Sequence, residues 1–287
     1  MPKKSVKQVE QPQKKLRVVR ETTAYNDIKL KDWRNYQHIE TGSLWNFQSR
    51  EKGNGHSYDY HGNYIPQIAT QLFERYTKSQ DVVLDLFLGS GTSAIEAFNM
   101  GRRCIGVELK KDMCDLVSNK FTREALDKSI KIITGDSTST SVKKHIKATL
   151  KGLDEENAQF LMLHPPYADI IKFSDLKEDL SNFEKTEDFL EQFKKAAQSG
   201  YDCLEKGRFA ALIIGDKYAD GELIPLGSLC MEKMQEVGFT LKALIVKNIE
   251  GNEKAKGKTA NLWRYRALAG GFYIFKHEYI YLFQKKR

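Results

Sequence analysis

Apolar positions along this chain recur with alternating helical and strand-like patterns. Over residues 65–76, Ile65, Ile68, Leu72, Phe73 and Tyr76 fall on one face of a helix. Residues 81–87, Asp-Val-Val-Leu-Asp-Leu-Phe, read as a buried strand that runs into a glycine-rich turn. The alternation then continues, with helices over 92–100, 110–121, 142–150, 186–204 and 225–237. Strands fall between them, over 103–109, 131–134, 159–163, 208–214, 239–246 and 272–283. Gly101 and Gly238 stop the helices that precede them. Residues 247–271 read as a basic, glycine-bearing loop, and no internal repeat is visible. Strands alternating with helices in this way predict an α/β fold with a largely parallel sheet.

Open sheets of this kind collect ligands at the carboxyl ends of their strands. Gly89–Gly91, Glu108, Asp136, residues 164–167 and Asp216 all fall at such ends, each on a different strand. Gly89-Ser90-Gly91 turns a strand into a helix, where glycine permits positive φ and helix-start amides carry positive partial charge. A tight strand-to-helix turn would by itself explain two glycines. Glu108 adds a carboxylate 19 residues beyond Gly89, placed to accept from two ribose hydroxyls. Asp136 is placed to bond an adenine amino group. The third glycine of a dinucleotide fingerprint is missing, and no phosphate-binding G-x-x-x-x-G-K-[ST] run exists.

His164-Pro165-Pro166-Tyr167 follows an apolar strand. A Pro-Pro turn after a strand is the structural reading. The chemical reading is that two prolines fix the backbone and leave carbonyls free to accept, while the tyrosine offers a flat face for stacking. An amino group conjugated to an aromatic ring is a poor nucleophile, because its lone pair is delocalised into that ring. Acceptors on the residue-164 side chain and the Pro165 carbonyl would favour the geometry in which that lone pair attacks. Were that ring a nucleobase, it would first have to leave the stack and lie against an aromatic side chain, a contact worth about 1–3 kcal/mol. A histidine accepts only when neutral. Activity should therefore fall as pH drops through its pKa, ordinarily about 6.5.

Composition narrows the partners. The 287 residues carry a net charge of +8 and a pI near 9.1, which allows a polyanion without demanding one. The four cysteines form no C-x-x-C pair, so neither a disulfide framework nor a metal site is expected. No secretory signal or run of about 18 apolar residues is seen, and a cytoplasmic protein (nucleoid-associated if bacterial) without a membrane span is expected. Residues 1–24 read as a basic disordered tail, and residues 25–287 as a single domain.

Asp85-Leu86-Phe87-Leu88-Gly89-Ser90-Gly91-Thr92 resembles the D-x-F-x-G-S-G-T motif of the DNA amino-methyltransferases, which methylate N6 of adenine or N4 of cytosine. The resemblance implies a class I, Rossmann-like methyltransferase with a mostly parallel seven-stranded sheet, using S-adenosylmethionine as cofactor. It assigns Asp85, Phe87, Gly89, Gly91 and Thr92 to the cofactor motif, with Glu108 on the ribose and Asp136 on the adenine. Residues 61–67 are more loosely similar to the family segment near the methionine end of the cofactor, which brings in Gln67. His164, Pro165, Pro166 and Tyr167 are the implied catalytic residues. The family usually has Asp, Asn or Ser first, so His164 removes the usual clue to the base, and adenine is favoured as the commoner target. His-Pro-Pro-Tyr running into Ala168–Ser174, together with Gly215-Asp216 and His277-Glu278-Tyr279, is similar to a subgroup of these enzymes.

Double-stranded DNA is the implied partner, with a restriction nuclease neighbour or a specificity partner also in view. Residues 43–62 and 247–271 are the candidate recognition elements. Arg50, Lys52, Lys256, Lys258, Trp263, Arg264 and Arg266 interleave charge with aromatic surface there. A solvated surface loop is the plainer reading of the second. Two other functions stay open, an RNA amino-methyltransferase and a nucleic-acid-binding protein of the same fold without turnover.

Overall fold

The computed structural model describes residues 23–51, 53, 55, 56, 62–249 and 260–287. In chain order the elements are β1 (Leu44–Trp45), α1 (Pro66–Tyr76), β2 (Val82–Asp85), α2 (Thr92–Asn99), β3 (Arg103–Glu108), α3 (Lys111–Ser118), α4 (Arg123–Lys128) and β4 (Ile130–Thr134). They continue as α5 (Thr140–Gly152), β5 (Ala158–Leu163), α6 (Thr186–Cys203), β6 (Leu204–Ile214), β7 (Lys217–Ala219), β8 (Glu222–Ile224), α7 (Leu226–Val237), β9 (Phe239–Asn248), α8 (Ala260–Gly270) and β10 (His277–Lys285).

One sheet runs in the order β1-β9-β10-β6-β5-β2-β3-β4. The neighbours from β6 to β4 pair in parallel, as does β1 with β9, while β10 lies antiparallel between β6 and β9. From β2 the chain steps outward through β3 to β4, then returns to lay β5 against the other side of β2. The switch point of the sheet therefore falls between the carboxyl ends of β2 and β5, where an open α/β sheet leaves a crevice.

Side chains alternate between two cores, one on each face. Val82, Leu84, Leu161, Leu163, Leu212 and Phe283 pack with Ile146, Phe193 and Met234 from α5, α6 and α7. On the other face Val83, Phe160, Met162, Ile213 and Leu282 pack with Leu72, Ala94 and Val117 from α1, α2 and α3. With both faces covered, the central strands are apolar over most of their length. That is why they read as continuous runs in the sequence.

Four expectations are corrected. Among the described residues the sheet has eight strands rather than seven, because Leu44–Trp45 adds a parallel edge to β9. Two residues are too few to show a period, and that strand exists only through its partner. The single helix expected over 110–121 stops at Ser118, and a separate α4 follows, capped by the Thr122 side chain, which accepts from the Ala125 amide at 3.2 Å. Within the expected loop 247–271, the described residues at its far end form α8. The apolar Leu262, Trp263, Tyr265 and Leu268 are spread around that helix, so no amphipathic stripe announces it. The last strand starts at His277 rather than 272. The hairpin of β7 and β8 has no counterpart in the sequence pattern.

Candidate active site

A cavity of about 1070 Å³ opens at the switch point, and its wall draws on the ends of β2, β3, β4, β5 and β6. Phe87, Gly89 and Thr92 come from the turn after β2, Glu108 from the end of β3, and Asp136 from beyond β4. His164, Pro165, Pro166 and Tyr167 follow β5, and Asp216 follows β6. The cavity thus unites the two motifs, which lie more than seventy residues apart in sequence.

The turn after β2 is held from several sides. The Leu88 amide bonds the Val107 carbonyl at 2.9 Å, and the Gly89 amide donates to the Glu108 carboxylate at 2.9 Å. Gly91 has φ +90°, and a Cβ there would lie 2.7 Å from a Val117 methyl. Glycine is required both by conformation and by the close approach of α3. The other Glu108 oxygen accepts from the Lys110 amide at 2.9 Å, and burial raises the Glu108 pKa against these bonds. Asp136 accepts from the Thr138 amide at 2.8 Å and from its hydroxyl at 2.6 Å. Each carboxylate oxygen has more than one lone pair, so both acids are oriented by the protein and retain acceptor capacity toward the cavity.

Gln67, Asp85 and Gly91 stand behind this wall rather than on it. Gln67 clamps the Ser49–Glu51 backbone, donating to the Ser49 carbonyl at 2.7 Å and accepting from the Glu51 amide at 3.2 Å. Asp85 is buried, and desolvation pushes its carboxyl up to about 6, against hydrogen bonds from Ser93 and the Phe87 amide.

On the opposite wall the His164 ring sits edge-on between two tyrosines, with centroids 5.2 Å from Tyr64 and 5.7 Å from Tyr167. Burial lowers its pKa to about 4. The Tyr167 ring lies against Gly215, where a Cβ would stand 3.1 Å away. Tyr167 donates to Glu278 at 3.0 Å, and Glu278 pairs with Lys247 at 3.1 Å. Sequence reasoning gave neither Glu278 nor Lys247 a role, and missed Tyr64. Their traces were the His277-Glu278-Tyr279 similarity, the start of the 247–271 element and the loosely similar segment 61–67, none of which said that these side chains meet.

Of the expected nucleic-acid contacts, Arg50 lines the cavity and donates to the Asn63 carbonyl at 3.1 Å. Trp263 also lines it, with the Arg266 guanidinium 5.5 Å from its ring. Arg264 and Arg266 are exposed on α8. Lys52, Lys256 and Lys258 lie outside the described residues. Trp45, within the first expected recognition element, is instead a core residue at 2% exposure. No helix among the described residues is long and apolar enough to cross a membrane.

The donor set suits a nucleoside cofactor, with two oriented carboxylates at adjacent strand ends and the apolar Val107 and Leu109 beside them. Comparison with known proteins agrees. The family model described as DNA methylase, for N6- and N4-methylating enzymes, matches residues 2–119. The chain is 30% identical over 74 residues to the type II methyltransferase M.MjaII of Methanocaldococcus jannaschii, covering 26% of this chain and 14% of that protein. It is 31% identical over 86 residues to the type II methyltransferase M.ScaI of Streptomyces caespitosus, covering 29% and 28%. Each match therefore spans under a third of the relative's length. In structure the chain resembles TrmN from Thermus thermophilus, at TM-score 0.50 and 15% identity over 78% of this chain and 50% of that one. It also resembles the cyclase SpnF, at TM-score 0.51 and 13% identity over 77% and 81%. Those two show the fold alone, and their different names illustrate that this fold does not set the reaction. The chain is thus similar over residues 2–119 to the N6/N4 DNA methylase family and has the class I α/β methyltransferase fold, which together support S-adenosylmethionine as its cofactor.

Proposed function

We propose that this protein transfers a methyl group to an exocyclic amino group of a base in double-stranded DNA, with N6 of adenine favoured over N4 of cytosine. The observation that carries this reading is the meeting of the β2 turn, Glu108 and Asp136 with His164–Tyr167 around one cavity. When bound, S-adenosylmethionine supplies an electrophilic methyl group on a sulfonium centre. Glu108 would hold the ribose and Asp136 the adenine, leaving the methionine end near the turn after β2. A base turned out of the duplex would stack on Tyr167 and donate its amino hydrogens to His164 and the Pro165 carbonyl. The nitrogen would gain the methyl group as that group's bond to sulfur breaks, and would give up one proton to solvent.

Arg264 and Arg266 on α8, with Trp263 at the cavity wall, fit phosphate contact beside a stacking surface. Binding should accordingly weaken steeply with salt. The relatives are named type II methyltransferases, so a restriction-modification setting with a nuclease neighbour belongs to this proposal.

The test offers purified protein methyl-labelled cofactor with duplex DNA or structured RNA. In parallel, the gene is expressed in methylation-free cells, whose DNA is then read by modification-sensitive sequencing. Label in DNA is expected, and the sequencing identifies base and site. Label in RNA alone, or cofactor binding without transfer to either, would overturn the reading.

A further inference from the structure

Lys247 and Glu278 face each other across β9 and β10 and are among the most buried charged residues, at 5% and 7% exposure. Removing charges from water is costly, so a buried pair is weak evidence of a gain in stability. Glu278 has two oxygens with two separate partners. Oε1 accepts from Lys247 Nζ at 3.1 Å, and Oε2 accepts from the Tyr167 hydroxyl at 3.0 Å. The chain of contacts continues from the Tyr167 oxygen to His164 Nε2 at 3.3 Å.

The protons along this chain can be ordered. Lys247 has only donors, and its ammonium keeps Glu278 an acceptor. Tyr167 owns a single hydroxyl proton and donates it in the hydrogen bond to Glu278. Toward His164 the phenol oxygen then has only lone pairs, so Nε2 must carry the imidazole proton. Nδ1 is left as the one acceptor on the ring, and it has no hydrogen-bond partner among the described residues. A neutral imidazole has two tautomers, and the opposite one would present a donor to the substrate instead.

We propose that Lys247 and Glu278 are positioning residues that act through Tyr167 to lock His164 in its Nε2–H tautomer, making Nδ1 the acceptor for the target amine. The purpose of the lock rests on the amino-methylation reading above, whereas the lock itself follows from the contacts. In families with Asp or Asn at this position no tautomer has to be chosen. The substitution to His creates the need, and the buried pair answers it.

Nitrogen-15 NMR of histidine-labelled full-length protein, without DNA, reads the tautomer directly, with His164 assigned by its loss in His164→Asn. The wild type should show His164 protonated on Nε2 from mildly acid to alkaline pH. Tyr167→Phe and the double variant Lys247→Met/Glu278→Met, which leaves neither an unpaired charge nor an acceptor for the Tyr167 hydroxyl, should each lose that preference. In the double variant the methylation kcat should fall about tenfold or more, as when a triad imidazole is held in the wrong tautomer. Its cofactor affinity and thermal midpoint serve as folding controls and should stay near wild type. A wild-type His164 protonated on Nδ1, or a double variant with unaltered tautomer, would overturn the proposal. A locked Nε2–H tautomer in a protein that methylates no nucleic acid would support the lock and overturn the function it was assigned.

Discussion

Burial at the cavity wall pulls the His164 pKa down to about 4, with Glu278 opposing that shift and Lys247 reinforcing it. The ring is thus neutral, and able to accept, throughout the range where an exposed histidine titrates. The fall in activity expected near pH 6.5 moves to about pH 4. A single-turnover pH profile should be flat through pH 6.5 as far as this group is concerned, and His164→Asn should lose only the limb near 4. An acid limb at pH 6–7 that vanishes in His164→Asn would contradict this. Two glycines set the neighbouring geometry. Gly215→Ala places a methyl 3.1 Å from the Tyr167 ring, so methyl transfer should fall while the thermal midpoint changes little. Gly91→Ala combines a left-handed φ with overlap on Val117, and urea titration should show a loss of about 1–3 kcal/mol.

At the scale of elements, one side chain clamps the backbone just beyond the edge strand β1. Asn248, at the end of β9, accepts from the Phe47 amide at 2.8 Å and donates to the Phe47 carbonyl at 2.9 Å. The two residues are 201 positions apart, so the bond pair closes a very long loop. Trp45, buried beside it, supplies the apolar anchor. Asn248→Ala leaves both Phe47 backbone groups unpaired, and a loss of about 1–3 kcal/mol is expected. Hydrogen exchange should find the change first at Trp45–Phe47, and uniform loss of protection across the sheet would argue against an independent edge. Further along the same segment, His56 bonds the buried Glu96 of α2 at 2.7 Å, and Thr70 donates to the same carboxylate at 3.0 Å. This part of the expected recognition element is therefore docked on the helix that begins at the cofactor motif.

Across the whole molecule, two buried groups respond to acid with opposite sign. His164 has a folded pKa of about 4, below its unfolded value near 6.5. Its contribution is present above pH 6.5 and is lost as pH falls toward 4. Asp85 has a folded pKa of about 6, above its ordinary value of 3.8. Its buried charge is a cost above pH 6, relieved as pH falls toward 3.8. The two shifts are comparable in size and occupy the same window, so they largely offset. Asp85→Asn should therefore lose more stability than wild type between pH 7 and pH 5, and His164→Asn less. Urea midpoints at the two pH values measure this, and parallel slopes in all three proteins would refute it.

The sequence by itself determined the alternation of strands and helices, because strands buried on both faces must be apolar throughout and the covering helices amphipathic. It also determined which residues sit at strand ends, so Gly89, Glu108, Asp136 and His164–Tyr167 could be named together without coordinates. The order of the strands, and hence which ends adjoin, was decided by the tertiary structure. So was β1, a strand of two residues made by its partner, and so was α8, whose apolar residues follow no stripe. The state of His164 belongs to the fold most completely. Its neutrality comes from burial, and its tautomer from Glu278 and Lys247, brought beside it from β10 and β9. Local sequence carries propensity and period, but the protonation of a side chain depends on what surrounds it in space.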